Sequence, residues 1–191
     1  MSDRARFFAR WRVRLGYPLA IAVLWLARPT PESIGLGALI GALGLGLRAY
    51  AAGYLHKQET LTITGPYAYT RNPLYFGSAI LAIGAGVATH SSIAAGLLMV
   101  YFAVFYSIVM RREEGELRGH HGEAFEAYAR AVPLFFPRIT GAKMSGISAQ
   151  SAGAFSYAQY RKNHEWQAAL GFVLLLAALL VLWRLRYGGV L

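Results

Sequence analysis

The sequence predicts an all-α integral membrane protein of about five transmembrane helices. Three observations carry that expectation. The 191 residues are 56% hydrophobic with a mean hydropathy of +0.38, above the about 45–50% apolar content of an ordinary soluble domain. The excess gathers into five runs, at 15–27, 34–55, 74–89, 92–110 and 166–183, most of them near the roughly 20 residues that a bilayer core requires. Between the second and third runs lies a polar, aromatic segment, 65–77, holding two prolines, one arginine and three tyrosines. Lipid leaves no partner for backbone groups freed by such residues. The segment is therefore a rigid structure at the membrane–water boundary, able to hold a polar ligand.

The first run is short, and Trp11 and Val13 extend it while the arginine heads reach toward the interface. A basic arm before an apolar run also suits a secretory signal. The run ends Trp25-Leu26-Ala27-Arg28-Pro29 without a small-x-small cleavage site, which favours a retained helix. Pro29 to Ser33 form a tight loop in which Pro31 and Glu32 suit a helix start. The second run is glycine-rich, and Gly37 and Gly41 make a GxxxG pair that lets helix backbones approach closely. No dinucleotide fingerprint is present, because no strand precedes these glycines and their spacing differs. Arg48, inside this run, either faces the bundle interior or snorkels to the interface; both readings stay open. Thr89-His90-Ser91-Ser92 is too short for anything but a helical hairpin joining the third and fourth runs.

Charge sets the expected orientation. The net charge of +10 concentrates in Arg4, Arg6, Arg10, Arg12 and Arg14 and in the stretch between the fourth and fifth runs. The positive-inside rule then puts the N-terminus, 56–73 and 111–165 in the cytoplasm, with Arg184 and Arg186 as weaker counter-evidence. The basic stripes fit anionic lipid headgroups rather than nucleic acid. No cysteine is present and the five histidines have no metal-binding spacing, so no metal is expected. Residues 139–156 are rich in Gly, Ser and Ala, and Phe155, Tyr157, Tyr160, Arg161, Lys162 and Trp166 form an interfacial belt. The expected organisation is a membrane core over 1–138, a flexible interfacial linker over 139–165 and an additional C-terminal helix over 166–191.

A second polar constellation follows the fourth run. Arg111-Arg112-Glu113-Glu114 leads to Gly122, Phe125, Tyr128 and Val132-Pro133. The short hairpin returns the chain to the membrane face it left, so Glu113 and Glu114 arrive beside Tyr67 to Tyr75. The bland alternative is a solvated charge cluster with i,i+4 partners such as Glu114–Arg118. Phe125, Tyr128 and Val132 fall at helical spacing and are expected to dock a short amphipathic helix on the membrane surface. Tyrosine faces attract cations. With a carboxylate beside them, Tyr67, Tyr75 and Glu113 suit a cationic or zwitterionic ligand.

Together the two constellations resemble the isoprenylcysteine carboxyl methyltransferase family and its relatives, the phospholipid N-methyltransferases. The signature G-P-Y-x-Y-x-R-H-P-x-Y-x-G is matched from Gly65 to Gly77, and the second block by Glu113-Glu114, Leu117, Gly122, Phe125, Tyr128 and Val132-Pro133. The resemblance spans about 40–138. It implies an integral membrane enzyme of a bacterial plasma membrane or the endoplasmic reticulum, using S-adenosyl-L-methionine. It further implies that Glu59, Thr60, Leu61, Thr62, Tyr67, Asn72, Pro73, Leu74, Tyr75 and Glu113 lie against that cofactor, in a pocket on the cytoplasmic face closed by the short amphipathic helix. The expected reaction is methyl transfer to a lipophilic acceptor from the bilayer, either the carboxylate of a prenylcysteine-like molecule or a lipid amine. Arg71 or Arg112 would orient an anionic head group, and Glu114 would take the proton of an amine acceptor. Two letters depart from the pattern. Asn72 stands where the family has histidine, and Val109 stands where the eukaryotic enzymes hold the substrate carboxylate with arginine. The alternatives are an NAD(P)H-dependent membrane reductase of similar helical arrangement and a non-catalytic lipid-binding membrane protein.

Overall fold

The computed structural model describes residues 3–55, 60–143 and 154–188, with side chains from 14 onward. Every regular element among them is helical: α1 (Asp3–Leu26), α2 (Pro31–Tyr54), a 3-10 turn (Gly65–Ala68), α3 (Pro73–Ala88), α4 (Ser92–Ala131), α5 (Tyr157–Lys162) and α6 (Trp166–Tyr187). Three of these, α2, α4 and α6, are long and apolar enough to cross a membrane; the apolar part of α1 and the 16-residue α3 are shorter. The protein is thus an all-α membrane protein.

Helix α2 starts where the prolines predict. The Thr30 hydroxyl accepts a hydrogen bond from the Ser33 amide at 3.1 Å, and the Ser33 hydroxyl accepts one from the Thr30 amide at 3.0 Å. This reciprocal cap satisfies two amides that the first turn leaves orphaned. Ser33 also reaches the Ala88 carbonyl at 3.2 Å, which ties the start of α2 to the end of α3. Between those ends the glycines do what the GxxxG spacing predicts. A Cβ at Gly84 would sit 2.6 Å from the Gly41 amide nitrogen and 2.7 Å from the Gly37 carbonyl oxygen. The opposite side of Gly41 receives the ring of Phe172 from α6, so this one position is pressed by two helices.

Hydrogen bonds identify which helix ends lie together. The Arg28 amide donates to the Thr89 carbonyl at 2.8 Å, and Arg186 Nη1 donates to the Ala27 carbonyl at 2.6 Å. The end of α1, the start of α2, the α3–α4 turn and the end of α6 therefore share one end of the bundle. Ala27, Ala88 and Leu179 form its buried cluster. Arg186, which counted against the expected orientation, caps the C-terminal carbonyls of α1, where a cation is favoured.

The second core cluster lies at the opposite end and corrects one expectation. Phe125, Tyr128 and Val132 do not dock on the membrane surface; they are buried against Leu61 and Ile63. The amphipathic stripe covers protein because α4 breaks at Gly122, whose φ of 48° and ψ of −122° turn the last turns of the helix. Glycine tolerates that backbone where a side chain would be strained. The solvated-cluster alternative, with its Glu114–Arg118 pair, does not form either. Arg118 instead reaches across the break to Glu126.

Residues 144–153 of the expected linker lie outside the described residues. On either side of them the chain is hydrogen bonded: the Ala142 amide donates to the Ala68 carbonyl and the Ser156 amide to the Gly53 carbonyl, both at 2.9 Å.

The crowding at Gly84 gives a direct test. Gly84→Ala is expected to destabilise the detergent-solubilised protein by about 1–3 kcal/mol through overpacking. Gly46→Ala, whose Cβ meets nothing within 4 Å, should leave the melting temperature unchanged or slightly raised.

Candidate functional site

The polar segment and the chain after Val132 interlock through their backbones. The Arg71 amide donates to the Pro133 carbonyl and the Arg138 amide to the Tyr69 carbonyl, each at 2.9 Å. The Thr70 hydroxyl donates to the Phe135 carbonyl at 2.9 Å, and Tyr128 Oη donates to the Tyr67 carbonyl at 2.8 Å. A proline-rich segment with few partners of its own is thereby held rigid by a second segment more than sixty residues away.

Asn72 belongs to this clamp. Its side-chain amide donates to the Leu134 carbonyl at 2.9 Å, and Asn72 occupies the cap position before Pro73, the first residue of α3. The letter that departs from the family signature is spent, in its donor half, on structure.

The carboxylates arrive where the hairpin argument puts them. Tyr75 Oη donates to Glu113 Oε1 at 2.6 Å, bridging α3 and α4. The Tyr75 ring meets Tyr106 edge-on at 5.3 Å between centroids. Arg71 Nη1 lies 3.0 Å from Glu114 Oε1, and both side chains are largely buried. That contact is an ion pair rather than an aligned hydrogen bond, since Arg71 Nε and Glu114 Oε1 are both buried without a hydrogen-bond partner among the described residues. The Arg71 guanidinium also stands 6.0 Å from the centre of the Phe125 ring.

Tyr67 sits at the middle of this arrangement. Its ring is 6% exposed, and its hydroxyl is buried without a partner among the described residues. Burial pushes the phenol well above its ordinary range, and the neighbouring Tyr128, Glu113, Glu165 and Tyr75 push the same way. Tyr67 is therefore a permanent donor at neutral pH. A buried donor without an acceptor is costly, and a ligand bearing hydrogen-bond acceptors and a positive charge would satisfy both it and Glu113.

The remaining candidates divide. Pro73 is buried, and the Leu74 carbonyl accepts from Arg48 Nη1 at 3.3 Å. Leu61 faces the Phe125 cluster, Thr62 Oγ1 donates to the Tyr54 carbonyl at 3.4 Å and Thr60 is half-buried. Glu59 lies outside the described residues. Arg112 is not brought to the cluster: it is exposed and pairs with Glu116 at 2.8 Å, one turn along α4. Two further charged residues meet in the interior; sequence reading left the direction of Arg48 open and missed Glu165. Arg48 faces the interior, where its Nη2 meets Glu165 Oε2 at 2.6 Å and its Nη1 meets the Ser78 hydroxyl. Sequence reading gave Glu165 no role; its one signal was an acidic residue at the start of an apolar helix whose other charges, Arg184 and Arg186, lie in its last turn.

The phospholipid methyltransferase family profile matches residues 12–124. The chain belongs to the phospholipid methyltransferase family. Family resemblance extends to the cobalt-zinc-cadmium resistance protein CzcN of Cupriavidus metallidurans, 34% identical over 137 residues, which are 68% of this chain and 63% of that protein. The nickel-cobalt-cadmium resistance protein NccN of Alcaligenes xylosoxydans xylosoxydans is 36% identical over 107 residues, 53% of this chain and 50% of its own length. The protein-S-isoprenylcysteine O-methyltransferase of Schizosaccharomyces pombe is 31% identical over 84 residues, 44% of this chain and 36% of that enzyme. The chain thus spans less than two thirds of the length of each of these relatives. No solved structure matches it. The family match ends before Phe125, so the Tyr128 and Val132 cover and the Glu165 contact lie beyond it.

The state of Tyr67 predicts a pH effect. Tyrosines of an unfolded chain lose their protons near pH 10, whereas Tyr67 retains its own to higher pH. Above about pH 10 the native state binds more protons than the unfolded one, so stability falls as pH rises. Tyr67→Phe is expected to flatten the loss of melting temperature between about pH 9.5 and 11. Equal slopes for both proteins would contradict the assignment.

Proposed function

We propose that the chain is an S-adenosylmethionine-dependent methyltransferase acting on a lipophilic acceptor at the cytoplasmic face of a membrane. The observation that carries this reading is the Tyr75–Glu113 hydrogen bond of 2.6 Å, formed between the two family motifs, with the unpartnered Tyr67 hydroxyl in electrostatic range of Glu113. The residues suit this cofactor. Glu113 would meet its ammonium, the tyrosine faces would enclose its positive sulfur, and Tyr67 Oη would donate to one of its oxygens or nitrogens. When bound, S-adenosylmethionine supplies an electrophilic methyl group carried on a positively charged sulfur.

The chain's own residues then have definite tasks. Transfer of a methyl group demands alignment and exclusion of water more than proton chemistry. The interlocked 67–75 and 132–138 segments provide the rigid frame, and the Phe125 cluster provides the dry cover. Asn72 does not exchange protons near neutral pH, unlike a histidine. Arg71, at the buried end of the cluster, orients an anionic acceptor group. A carboxylate acceptor needs no base; an amine acceptor would pass its proton to Glu114, the carboxylate beside Arg71. Exposed Arg112 takes no part in this arrangement.

Purified protein titrated with S-adenosylhomocysteine tests the reading. Saturable binding is expected, and Glu113→Gln or Tyr75→Phe should weaken it about 10- to 100-fold, the loss of one charge-assisted hydrogen bond. No binding at millimolar ligand would overturn it. In parallel, NADPH should give no thermal protection, and radiolabelled methyl groups should pass into the lipid or lipidated-protein fraction of a membrane extract.

A further inference from the structure

We infer that Arg48 anchors a second binding site, one that takes the anionic head group of an acyl-chain amphiphile, and that Glu165 is the chain's own replaceable occupant of it. Arg48 lies six residues before the end of α2, about two turns inside a helix apolar enough to span a membrane. Charge at such depth is kept when it meets a counter-charge or a polar ligand. Here the counter-charge is Glu165 Oε2 at 2.6 Å from Nη2, while Nη1 is served by two uncharged groups, the Ser78 hydroxyl and the Leu74 carbonyl.

That arrangement leaves a donor unspent. Arg48 Nε is buried without a hydrogen-bond partner among the described residues. A guanidinium presents five donors in a planar fork that matches carboxylate and phosphate oxygens. One carboxylate oxygen on Nη2 uses a fraction of that capacity. A phosphate, or a carboxylate held by two oxygens, uses more of it.

The occupant is also held on a releasable strap. Residues 154–165 are fixed to the end of α2 by polar contacts. The Ser156 amide donates to the Gly53 carbonyl at 2.9 Å, Gln159 Nε2 donates to the Leu55 carbonyl, and Asn163 Nδ2 donates to the Ala52 carbonyl at 2.8 Å. Water replaces such contacts at a helix end at little cost. Helix α5 contains no buried residue, and Phe155, packed on Gly53 and Tyr50, is the strap's apolar foothold. A head group carrying a tail has a route to Arg48 from the bilayer once the strap lifts, and a tail-less anion lacks the apolar contribution to binding.

The test uses the full chain in phosphatidylcholine nanodiscs, read by thermal shift, with added phosphatidylglycerol, oleate or inorganic phosphate. Phosphatidylglycerol and oleate share an anionic head and an acyl tail, and their relative potency separates phosphate from carboxylate. Both should stabilise the wild type, and inorganic phosphate should not. Glu165→Gln removes the competing carboxylate and should raise affinity for the preferred amphiphile about tenfold. The neutral double variant Arg48→Gln/Glu165→Gln, which leaves no unpaired buried charge, should lose that affinity. An unchanged affinity in Glu165→Gln, or wild-type affinity in the double variant, would overturn the inference and leave Glu165 as a structural counter-ion. S-adenosylhomocysteine binding is measured on the same samples; its absence with an intact lipid response would remove the methyltransferase reading and spare this one.

Discussion

Backbone contact between α2 and α3 is the constraint on which the rest depends. Gly37 and Gly41 admit Gly84 to within touching distance, and Gly44 meets the Gly77 carbonyl farther along. Helices this close cannot slide without steric clash, so the register of α3 is fixed against α2. At one end that register puts Ala88 against Ser33; at the other it puts Leu74 and Ser78 against Arg48. Once α3 is fixed, the turn at 89–91 leaves α4 little freedom, and Glu113 meets Tyr75 across 38 residues of sequence. The polar chemistry at the site is thus positioned by apolar packing some distance below it.

The site itself is built from two segments of irregular chain that satisfy one another. Neither 65–72 nor 132–138 has a regular ladder or helix of its own over most of its length, and buried backbone groups without partners are costly. Their mutual hydrogen bonds remove that cost and leave the Tyr67 hydroxyl and the Arg71–Glu114 pair incompletely served. Incomplete satisfaction inside a frame whose backbone groups are paired suits a ligand site, and it coincides with the part of the family signature that this chain retains.

Much of this was legible in the sequence. Apolar runs gave the helices because lipid and helix periodicity leave few alternatives for a long run, and the four-residue turn made the meeting of Glu113 with Tyr75 a matter of chain length. The limits of the α4 extension were less legible. An apolar stripe of Phe125, Tyr128 and Val132 says that a face is covered, but protein and lipid cover it equally well, and the backbone reversal at Gly122 decided between them. Asn72 read as a cofactor contact that departs from the usual histidine, and its amide in addition serves the Leu134 carbonyl sixty-two residues away. Such a partner is invisible without the fold. The Arg48–Glu165 pair was hidden for the same reason: 117 residues separate the two charges.

The bond from Arg186 to the Ala27 carbonyl has a consequence for biosynthesis. The first helix emerges from the ribosome long before the last, yet the corner where it ends is completed by residues 179 and 186. Throughout translation that corner holds exposed backbone carbonyls and the small side chains of Ala27 and Ala88. That corner is therefore complete only once α6 has joined the earlier helices.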